Sequence, residues 1–443
     1  MKKVLIIGAG LVAKPMVEYL LEREFRITVA SPMKARADEM IKGNPLGVSA
    51  DWSMDDPDGL EKLVSGHDIT VSLLPYKFHP DVAIVCIKYK KSLVTTSYVQ
   101  PAMKALDDDA KKAGVILLNE IGLDPGIDHM SAMKIIDHIH GKNGKVEEFY
   151  SFCGALPSPG AADNPFGYKF AWSPRGVMLA GRNSAHYLKK GKEIFIESAD
   201  LFKDRFICNF PGIGELEVYP NRDSISYRDI YGIPETQTMY RGTFRYKGWC
   251  EVFDKMKSLN MLDDTPNDYK GMSYADFLAE RAGSGLQNLN KTLKIKLGIS
   301  PDSTTMKALE WAGFFSTENM NYKLTTPFEI TSERMISRMM LGENDSDMVV
   351  MQHIFLASYP RGKNEVIRSL ILHFGSPATN TAIARTVALP AAIAVKMILS
   401  GNIDLKGVFR PVVPQIYIPV LDELKTLGIE MKEEYGLPES EMI

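Results

Sequence analysis

A glycine-containing turn near the start of the chain has the spacing of a dinucleotide-binding loop. A short aliphatic strand pattern breaks into Gly8-x-Gly10-x-x-Ala13, and a helical pattern follows. Gly8 allows a tight turn, Gly10 allows a phosphate to approach the backbone, and Ala13 is small enough for helix-on-strand packing. The amides of this turn, with those of Leu11 and Val12, and the helix dipole can bind a pyrophosphate. We therefore predict a dinucleotide site here.

The residues after the second strand pattern indicate whether the site prefers NAD or NADP. NAD sites usually carry an acidic residue about twenty residues beyond the first glycine, where it binds the ribose hydroxyls. This chain has Ser31, Lys34 and Arg36 in that stretch instead. Such side chains can bind the 2′-phosphate of NADP, although Lys34 and Arg36 also fit the solvated first turn of a helix. NADP(H) is therefore favoured over NAD(H), and the choice stays open.

Two further segments follow strand patterns, where a doubly wound sheet lines its cofactor crevice. Leu73, Leu74 and Pro75 follow one strand, and Ser97 and Tyr98 follow the next. We expect backbone groups and hydroxyls of both segments to face the nicotinamide half of the cofactor. At each residue the alternative is an ordinary strand-to-helix loop.

Six short strands, separated by helical segments, must position these residues. They are predicted at residues 4–7, 27–30, 47–50, 69–73, 93–96 and 115–118. Continuous apolar runs indicate strands covered on both faces, as in a parallel sheet. The first third of the chain is therefore predicted to be a Rossmann-type, doubly wound α/β sheet.

After Gly126 the pattern changes. Further strands are predicted at residues 147–153, 194–197, 215–219, 238–244 and 365–374, some with alternating polarity. This alternation predicts a largely antiparallel sheet with one solvated face. Capped helical patterns replace the strands at residues 254–345, and residues 379–399 are predicted to be a long apolar helix.

Composition limits the classes of function. The 443 residues carry a net charge of −3 without a long run of one sign, which favours neither nucleic acid nor an anionic membrane. The four cysteines form no CxxC pair and the eight histidines no HExxH motif, so we expect reduced thiols and no metal site. Lys396 interrupts the most apolar stretch, and no signal peptide is recognised. A cytoplasmic protein with a small-molecule partner is expected.

Residues 119–129, Asn-Glu-Ile-Gly-Leu-Asp-Pro-Gly-Ile-Asp-His, resemble a motif of the L-glutamate-forming saccharopine dehydrogenases, also called saccharopine reductases. Further matching motifs are Cys-Gly-Ala-Leu-Pro-Ser-Pro from residue 153, Asn-Pro-Phe-Gly-Tyr-Lys-Phe-Ala-Trp-Ser-Pro-Arg-Gly from 164, Tyr-Pro-Asn-Arg-Asp-Ser from 219 and Arg-Gly-Thr-Phe-Arg-Tyr-Lys-Gly from 241. Thr-Val-Ala-Leu-Pro-Ala-Ala from 386 and Lys-Gly-Val from 406 extend the resemblance over essentially the full chain.

The resemblance implies an enzyme that joins 2-aminoadipate 6-semialdehyde to the amino group of glutamate as an imine. A nicotinamide cofactor reduces this imine to saccharopine, or the reaction runs in reverse. The resemblance also implies a homodimer and three parts. These are a Rossmann domain at 1–124 and about 385–443, a mixed α/β substrate and dimerisation domain at 125–255 and about 346–384, and a helical insertion at 256–345.

The matching motifs also imply site residues. Saccharopine carries three carboxylates, and a planar guanidinium binds a carboxylate through two parallel hydrogen bonds. Arg222 and Arg241 match the substrate-binding arginines of the family, while Arg245 and Arg175 are weaker candidates. Further substrate contacts are predicted for Asn221, Phe170, Trp172 and Ser97.

Asp124, Cys153 and Tyr98 match the polar shell that the family places around the reacting amine. Asp124 would stabilise a cationic imine or ammonium group. Cys153 also fits a buried small hydrophobe, and Tyr98 also fits packing against the cofactor. Bound water is an alternative carrier of the proton.

Two other functions stay open. A related Rossmann reductase of the carboxynorspermidine dehydrogenase type would make another secondary amine, and the motifs at 219–224 and 241–243 argue against it. A non-catalytic dinucleotide-binding regulator would keep the fold, and the presence of the two candidate substrate arginines, Asp124 and Cys153 argues against it. Pro32 departs from both the fungal and the animal pattern of the family, so the physiological direction also stays open.

Overall fold

The computed structural model describes residues 1–360, 362–377 and 380–443, which form two compact units. The first unit comprises Met1–Lys145, Ser358–Lys363 and Ser369–Glu434. The second comprises Val146–Ala357, Asn364–Arg368 and Tyr435–Ile443. Each unit is thus built from segments that are distant in sequence. This division differs from the predicted domains, because it places residues 125–145 in the first unit and residues 256–345 in the second. The predicted boundary at 124/125 and the separate helical insertion stay predictions.

The described residues contain eighteen β-strands. They are β1 (Lys3–Ile7), β2 (Arg26–Ala30), β3 (Gly47–Ala50), β4 (Ile69–Ser72), β5 (Ser92–Thr95), β6 (Ile116–Leu118), β7 (Lys145–Pro157), β8 (Ala185–Lys189), β9 (Lys192–Ile196), β10 (Phe206–Phe210), β11 (Gly214–Pro220), β12 (Thr238–Arg245), β13 (Asn267–Asp268), β14 (Leu324–Thr325), β15 (Asp347–Tyr359), β16 (Lys363–Phe374), β17 (Gly407–Phe409) and β18 (Lys432–Leu437).

The same residues contain sixteen α-helices. They are α1 (Lys14–Glu22), α2 (Lys34–Ile41), α3 (Pro57–Ser65), α4 (His79–Lys88), α5 (Pro101–Lys104), α6 (Asp107–Ala113), α7 (Ile127–Gly141), α8 (Pro174–Ala180), α9 (Tyr227–Tyr231), α10 (Trp249–Ser258), α11 (Tyr274–Ala282), α12 (Leu289–Leu297), α13 (Thr304–Trp311), α14 (Pro327–Met339), α15 (Ala382–Leu399) and α16 (Pro414–Thr426).

The first unit contains a seven-stranded parallel sheet in the order β17-β6-β5-β4-β1-β2-β3. The six strands predicted in the first third are confirmed. Ile7 pairs in register with Ala30 on one side and with Ser72 on the other. The carboxyl ends of β2, β1 and β4 therefore meet at one edge of the sheet, which is where such folds bind ligands.

Helix α15 lies in the first unit and contacts α1, β4 and β5. Among the described helices it alone is long and apolar enough to span a membrane by length and composition, yet most of its residues are buried within the fold. This burial is typical of a core helix in a folded domain. Of the predicted helix at 379–399, Thr379 lies outside the described residues.

The second sheet has the order β10-β11-β12-β7-β15-β16-β18, and β8 joins β9 to β12. The prediction of a largely antiparallel sheet is confirmed for the pairs β10–β11, β11–β12, β12–β8 and β8–β9, whereas β12 and β7 are parallel. A parallel pair requires a crossover rather than a hairpin, and period-2 polarity does not distinguish the two. The predicted helical segments exist: Ser273 forms a capping box before α11, and Ser303 caps α13.

Candidate functional site

The turn between β1 and α1 has the geometry of a phosphate-binding loop. Gly8 adopts φ +111° and donates a backbone hydrogen bond of 2.9 Å to Ala30. A Cβ atom at Gly8 would lie 3.2 Å from the carbonyl oxygen of Leu73, so a side chain would be strained and crowded. At Gly10, by contrast, no atom lies within 4 Å of the position of a Cβ atom. The backbone at Gly10 is therefore open to a ligand.

The start of α1 fits an anionic group. Ala13 occupies the N-cap and provides no side-chain hydrogen bond, and the first helical turn contains no acidic residue. The helix dipole is therefore not offset by a local carboxylate. Leu11 is exposed and Val12 is half-buried on the turn that leads into this helix. These residues fit the pyrophosphate of a dinucleotide.

The segment after β2 presents two exposed cations. Ser31 is buried, and its hydroxyl accepts a 3.1 Å hydrogen bond from the backbone of Met33. Lys34 and Arg36 are exposed in the first turn of α2. The Lys34 ammonium lies 3.0 Å from the Asp38 carboxylate. A 2′-phosphate would thus meet two cations, one of which is already in an exposed ion pair.

Leu73, Leu74 and Pro75 lie directly beside the glycine turn. The backbone of Leu73 donates a 2.9 Å hydrogen bond to Ile7, and its carbonyl lies close to Gly8. Leu73 and Leu74 are half-buried and Pro75 is exposed. The structure therefore brings two of the predicted cofactor-binding segments together.

Tyr98 and Asp124 meet through a side-chain hydrogen bond. The Tyr98 hydroxyl donates to Asp124 Oδ1 at 2.9 Å. Asp124 lies in a tight loop whose ends are Gly122 and Gly126. Gly126 adopts φ +149°, and a Cβ atom there would lie 2.0 Å from the Gly122 carbonyl oxygen, so this position requires glycine. The loop thus fixes one of the predicted polar residues, and the hydrogen bond joins it to another.

The buried carboxylate of Glu120 is hydrogen-bonded to the residue that follows Tyr98. Glu120 accepts hydrogen bonds from the Val99 amide at 2.7 Å, from Arg410 Nε at 2.8 Å and from His129 Nε2 at 2.7 Å. Burial alone would raise the pKa of Glu120, but the hydrogen bond and charge of His129, with the charge of Arg410, outweigh burial and hold the pKa at about 2. The carboxylate is therefore ionised at neutral pH. Sequence reasoning missed this group.

Sequence reasoning also missed His79, a histidine near the carboxyl ends of β4 and β5. His79 is buried, and its ring nitrogens contact the hydroxyls of Ser72, Thr95 and Ser97 at 2.9, 3.0 and 2.8 Å. The predicted site residue Ser97 is thus held by a side chain that no motif singled out. The only local signal was a histidine between two hydroxyl-rich strand ends.

In the second unit, β12 and β7 carry two of the predicted residues. Thr243 pairs in parallel register with Cys153, and Arg241 lies two residues before Thr243. Side chains two residues apart on a strand share a face, and paired positions point to the same side. Arg241 and Cys153 therefore lie on one face of the second sheet. Both side chains are buried.

Arg222 and Arg241 are brought close by the loop after β11. The amide of Asn221 donates a 2.8 Å hydrogen bond to the carbonyl of Arg241, whose own amide donates to Ser224 at 2.9 Å. The Arg241 guanidinium lies 4.2 Å from the centre of the Tyr227 ring. Arg222 is exposed and adopts φ +52°, an uncommon conformation for a non-glycine residue. Such strained residues are frequent at ligand sites.

The two weaker candidate arginines are both engaged by neighbouring side chains. Arg245 is buried against the rings of Tyr168 and Trp249, with centroid distances of 4.9 and 5.2 Å. Arg175 forms a bidentate ion pair with Glu329, with both distances 2.6 Å.

Phe170 is wholly buried in the core. Trp172 is partly exposed, and the substrate wall predicted from Phe170 and Trp172 stays a prediction. The period of a strand placed them on one face, but Phe170 makes a single β-bridge to Met340 outside the named strands.

No group of three or more histidine, cysteine, aspartate or glutamate side chains at residues 1–360, 362–377 and 380–443 could hold a metal ion. The candidate residues described above form two sets of hydrogen-bonding and charged groups, one in each unit.

Residues 4–118 match the family model for the saccharopine dehydrogenase NADP binding domain, and residues 122–429 match the model for the saccharopine dehydrogenase C-terminal domain. The chain belongs to the saccharopine dehydrogenase family. Saccharopine dehydrogenase (NADP(+), L-glutamate-forming) of Saccharomyces cerevisiae is 38% identical, and the alignment covers 98% of this chain and 99% of the relative. The enzyme of the same name from Schizosaccharomyces pombe is 37% identical with the same coverage.

Within this family, mitochondrial alpha-aminoadipic semialdehyde synthase of Bos taurus is 36% identical over 97% of this chain but only 47% of its own length. A solved structure, apo histidine-tagged saccharopine dehydrogenase (L-Glu forming) from Saccharomyces cerevisiae, matches with a TM-score of 0.90 and 36% identity. The match covers 98% of this chain and 100% of that chain. The predicted family and the α/β architecture are confirmed, and the NADP-binding family model supports the preference for NADP(H).

Proposed function

We propose that this chain is an NADP(H)-dependent saccharopine dehydrogenase, which interconverts saccharopine with L-glutamate and 2-aminoadipate 6-semialdehyde. One observation carries this proposal: two fungal enzymes named for this activity are 37–38% identical over almost their whole length. The backbone hydrogen bond from the Asn221 amide to the Arg241 carbonyl supports it further. This bond brings the loop of Arg222 beside the strand of Arg241, and the substrate is rich in carboxylates.

The first unit would hold the cofactor. Gly8, Gly10 and the start of α1 would receive the pyrophosphate, and Lys34 and Arg36 would receive the 2′-phosphate. The bound cofactor supplies hydride transfer at its nicotinamide ring. Leu73 and Leu74 would exclude water from one side of the cofactor, since both are apolar and lie beside the glycine turn.

Arg222 and Arg241 would bind substrate carboxylates. Arg241 is already fixed by its backbone hydrogen bonds and by the ring of Tyr227, so little freedom is lost when it binds an anion. Arg222 is exposed on a strained backbone and would be the more adaptable of the two. Asn221 would add an amide, and Cys153 would contact the substrate from the neighbouring strand.

Asp124 and Tyr98 would act at the amine nitrogen. In the oxidative direction, a hydride leaves the carbon of the aminoadipate half that is bonded to the nitrogen, and a cationic imine results. Asp124 would stabilise that positive charge, and the hydrogen bond from Tyr98 would hold the carboxylate in place. Water then adds to the imine carbon, the carbon–nitrogen bond breaks, and the nitrogen leaves with glutamate.

We also propose that the protein is a cytoplasmic homodimer, as the family resemblance implies. Analytical ultracentrifugation would measure the mass of the particle, and a mass of one chain of 49.4 kDa would contradict the dimer. Fractionation of cells would test the compartment.

Absorbance at 340 nm tests the proposed function. Purified protein is mixed with saccharopine and either NADP+ or NAD+, and we expect reduced cofactor to form faster with NADP+. Omission of saccharopine is the control for background reduction. Turnover of carboxynorspermidine in place of saccharopine would indicate the related reductase, and binding of NADP+ without turnover of either amine would indicate a regulator.

A further inference from the structure

His79 connects the carboxyl ends of two neighbouring parallel strands. It is the first residue of α4, and its side chain is buried. Nδ1 lies 2.9 Å from the hydroxyl of Ser72 at the end of β4. Nε2 lies 2.8 Å from the hydroxyl of Ser97 and 3.0 Å from that of Thr95 at the end of β5. Both ring nitrogens are therefore engaged with hydroxyl groups at the edge of the sheet that carries the predicted cofactor site.

The imidazole is neutral where the enzyme would work. Burial lowers the pKa of His79 to about 4, so a proton occupies only one ring nitrogen at neutral pH. A neutral ring has one donor and one acceptor, and serine hydroxyls can adopt either role. In each tautomer the hydroxyl of Ser97 thus has a defined hydrogen bond to Nε2. The orientation of Ser97 is linked to His79 and not left to solvent.

Glu120 holds the same segment from the other side. Its amide donates a 3.1 Å hydrogen bond to the carbonyl of Ser97, and its carboxylate accepts one of 2.7 Å from the amide of Val99. Glu120 adopts φ +57°, which allows its backbone and its side chain to face the two ends of one tripeptide. Arg410 and His129 fix the carboxylate. This geometry is costly for a non-glycine residue.

The residue between these two anchors is Tyr98. We propose that His79 and Glu120 are positioning residues, which fix Ser97 and Val99 so that the Tyr98 hydroxyl stays on Asp124. The inference rests on the proposed function for its catalytic consequence, because Tyr98 and Asp124 are the groups assigned to the amine. A side chain held within a fraction of an ångström of its working position accounts for a large part of an enzymatic rate.

Two conservative substitutions of His79 distinguish the roles of its two ring nitrogens. The amide of glutamine reaches roughly the position of Nε2, and the amide of asparagine roughly that of Nδ1. His79→Gln therefore keeps a partner for Ser97, whereas His79→Asn keeps one only for Ser72. We expect His79→Asn to lower kcat about tenfold with little change in the KM for NADP+, and His79→Gln to lower kcat about twofold.

A matched control is available in the same unit. His67 also has both ring nitrogens engaged, with the carbonyl of Leu63 at 2.6 Å and the hydroxyl of Thr28 at 2.7 Å, but it precedes β4 rather than following it. His67→Asn should lower the melting temperature without changing kcat. Equal losses of kcat in His67→Asn and His79→Asn, at equal losses of melting temperature, would mean that His79 only stabilises the fold.

A double-mutant cycle tests whether His79 acts through Tyr98. In the background of Tyr98→Phe, the hydroxyl that contacts Asp124 is absent, so its position no longer matters. The effect of His79→Asn on kcat should then shrink from about tenfold to about twofold. Losses that multiply fully in the double variant would overturn the inference.

Hydrogen exchange provides a readout that does not depend on activity. A peptide that covers residues 97–99 contains the Val99 amide, which donates to Glu120, and the amides of Ser97 and Tyr98 beside it. We expect exchange there to be about tenfold faster in His79→Asn than in wild type, and nearly unchanged in His79→Gln and His67→Asn. Unchanged exchange in His79→Asn would overturn the inference even if the enzyme oxidises saccharopine. An inactive wild type with the expected exchange pattern would instead contradict only the proposed function.

Discussion

The ammonium group of Lys34 lies 3.0 Å from the carboxylate of Asp38, one turn further along α2. Asp38 also accepts a hydrogen bond from the hydroxyl of Ser49. Both interactions lower the pKa of Asp38, that of Ser49 most, so the carboxylate is negative at neutral pH. A phosphate on the cofactor would therefore compete with Asp38 for Lys34 and would also be repelled by it.

The first prediction concerns this competition. Asp38→Asn should tighten NADP+ binding about fivefold and leave NAD+ binding unchanged, whereas Lys34→Ala should weaken NADP+ binding about fivefold. Fluorescence titration with each dinucleotide measures both effects. Lys42→Ala is the control, since Lys42 pairs with Glu18 at the other end of α2. Equal changes for the two dinucleotides would mean that Lys34 does not contact the phosphate.

The second prediction concerns the glycine turn. Gly10→Val should preserve the fold, because the space around a Cβ atom at this position is open. It should abolish dinucleotide binding, because the added atoms would occupy the space in which we predict the phosphates to bind. Gly141→Val is a matched control at the end of α7, where the position of a Cβ atom is equally open. Calorimetric titration with NADP+ and circular dichroism give the two readouts. Retained NADP+ affinity in Gly10→Val would place the cofactor elsewhere.

The third prediction concerns substrate carboxylates. Arg222→Ala and Arg241→Lys should each raise the KM for saccharopine by about tenfold to a hundredfold, because a charged hydrogen bond is lost or weakened. Arg175→Ala should not, since that guanidinium is held by Glu329. Steady-state kinetics at saturating NADP+ measure the effect. An unchanged KM in both Arg222→Ala and Arg241→Lys would remove these arginines from the substrate site.

The fourth prediction concerns acid stability. His79 has an ordinary pKa of 6.5 and a folded-state pKa of about 4, so between these values the unfolded chain binds more protons. The stabilisation is complete above about pH 6.5 and is lost as the pH falls toward 4. The free energy of unfolding should therefore fall by about 2.5 kcal/mol more in wild type than in His79→Gln between pH 7 and 4.5. Urea titrations at several pH values measure this difference, and parallel curves would contradict it.

The sequence predicted the parts of the site that depend on local pattern. The first sheet was predictable because strands covered on both faces are continuously apolar, and the turn at Gly8 was predictable because its glycine spacing is typical of dinucleotide-binding loops. Arg222 and Arg241 were named from long motifs, and their contact with substrate stays a prediction. The hydrogen bond between Asn221 and Arg241 then joins two motifs that the sequence lists separately.

Other features depend on contacts between distant residues. Arg410 binds Glu120 across 290 positions, and neither residue carries a local signal of the other. Arg245 was a weaker candidate for substrate binding, and its burial could not be predicted because the rings that pack on it come from Tyr168 and Trp249. His79 was overlooked because its partners lie on two strands. Burial and tertiary hydrogen bonds are properties of the packed chain, and periodicity does not contain them.

The discontinuous first unit has a consequence for synthesis on the ribosome. Strand β17 completes the edge of the parallel sheet beside β6, and α15 packs against α1, yet both elements come from residues beyond 380. A nascent chain with only the first 145 residues therefore exposes a strand edge and an apolar helix face. Exposed edges of this kind favour aggregation. The nascent chain should therefore depend on chaperones until β17 and α15 have emerged from the ribosome.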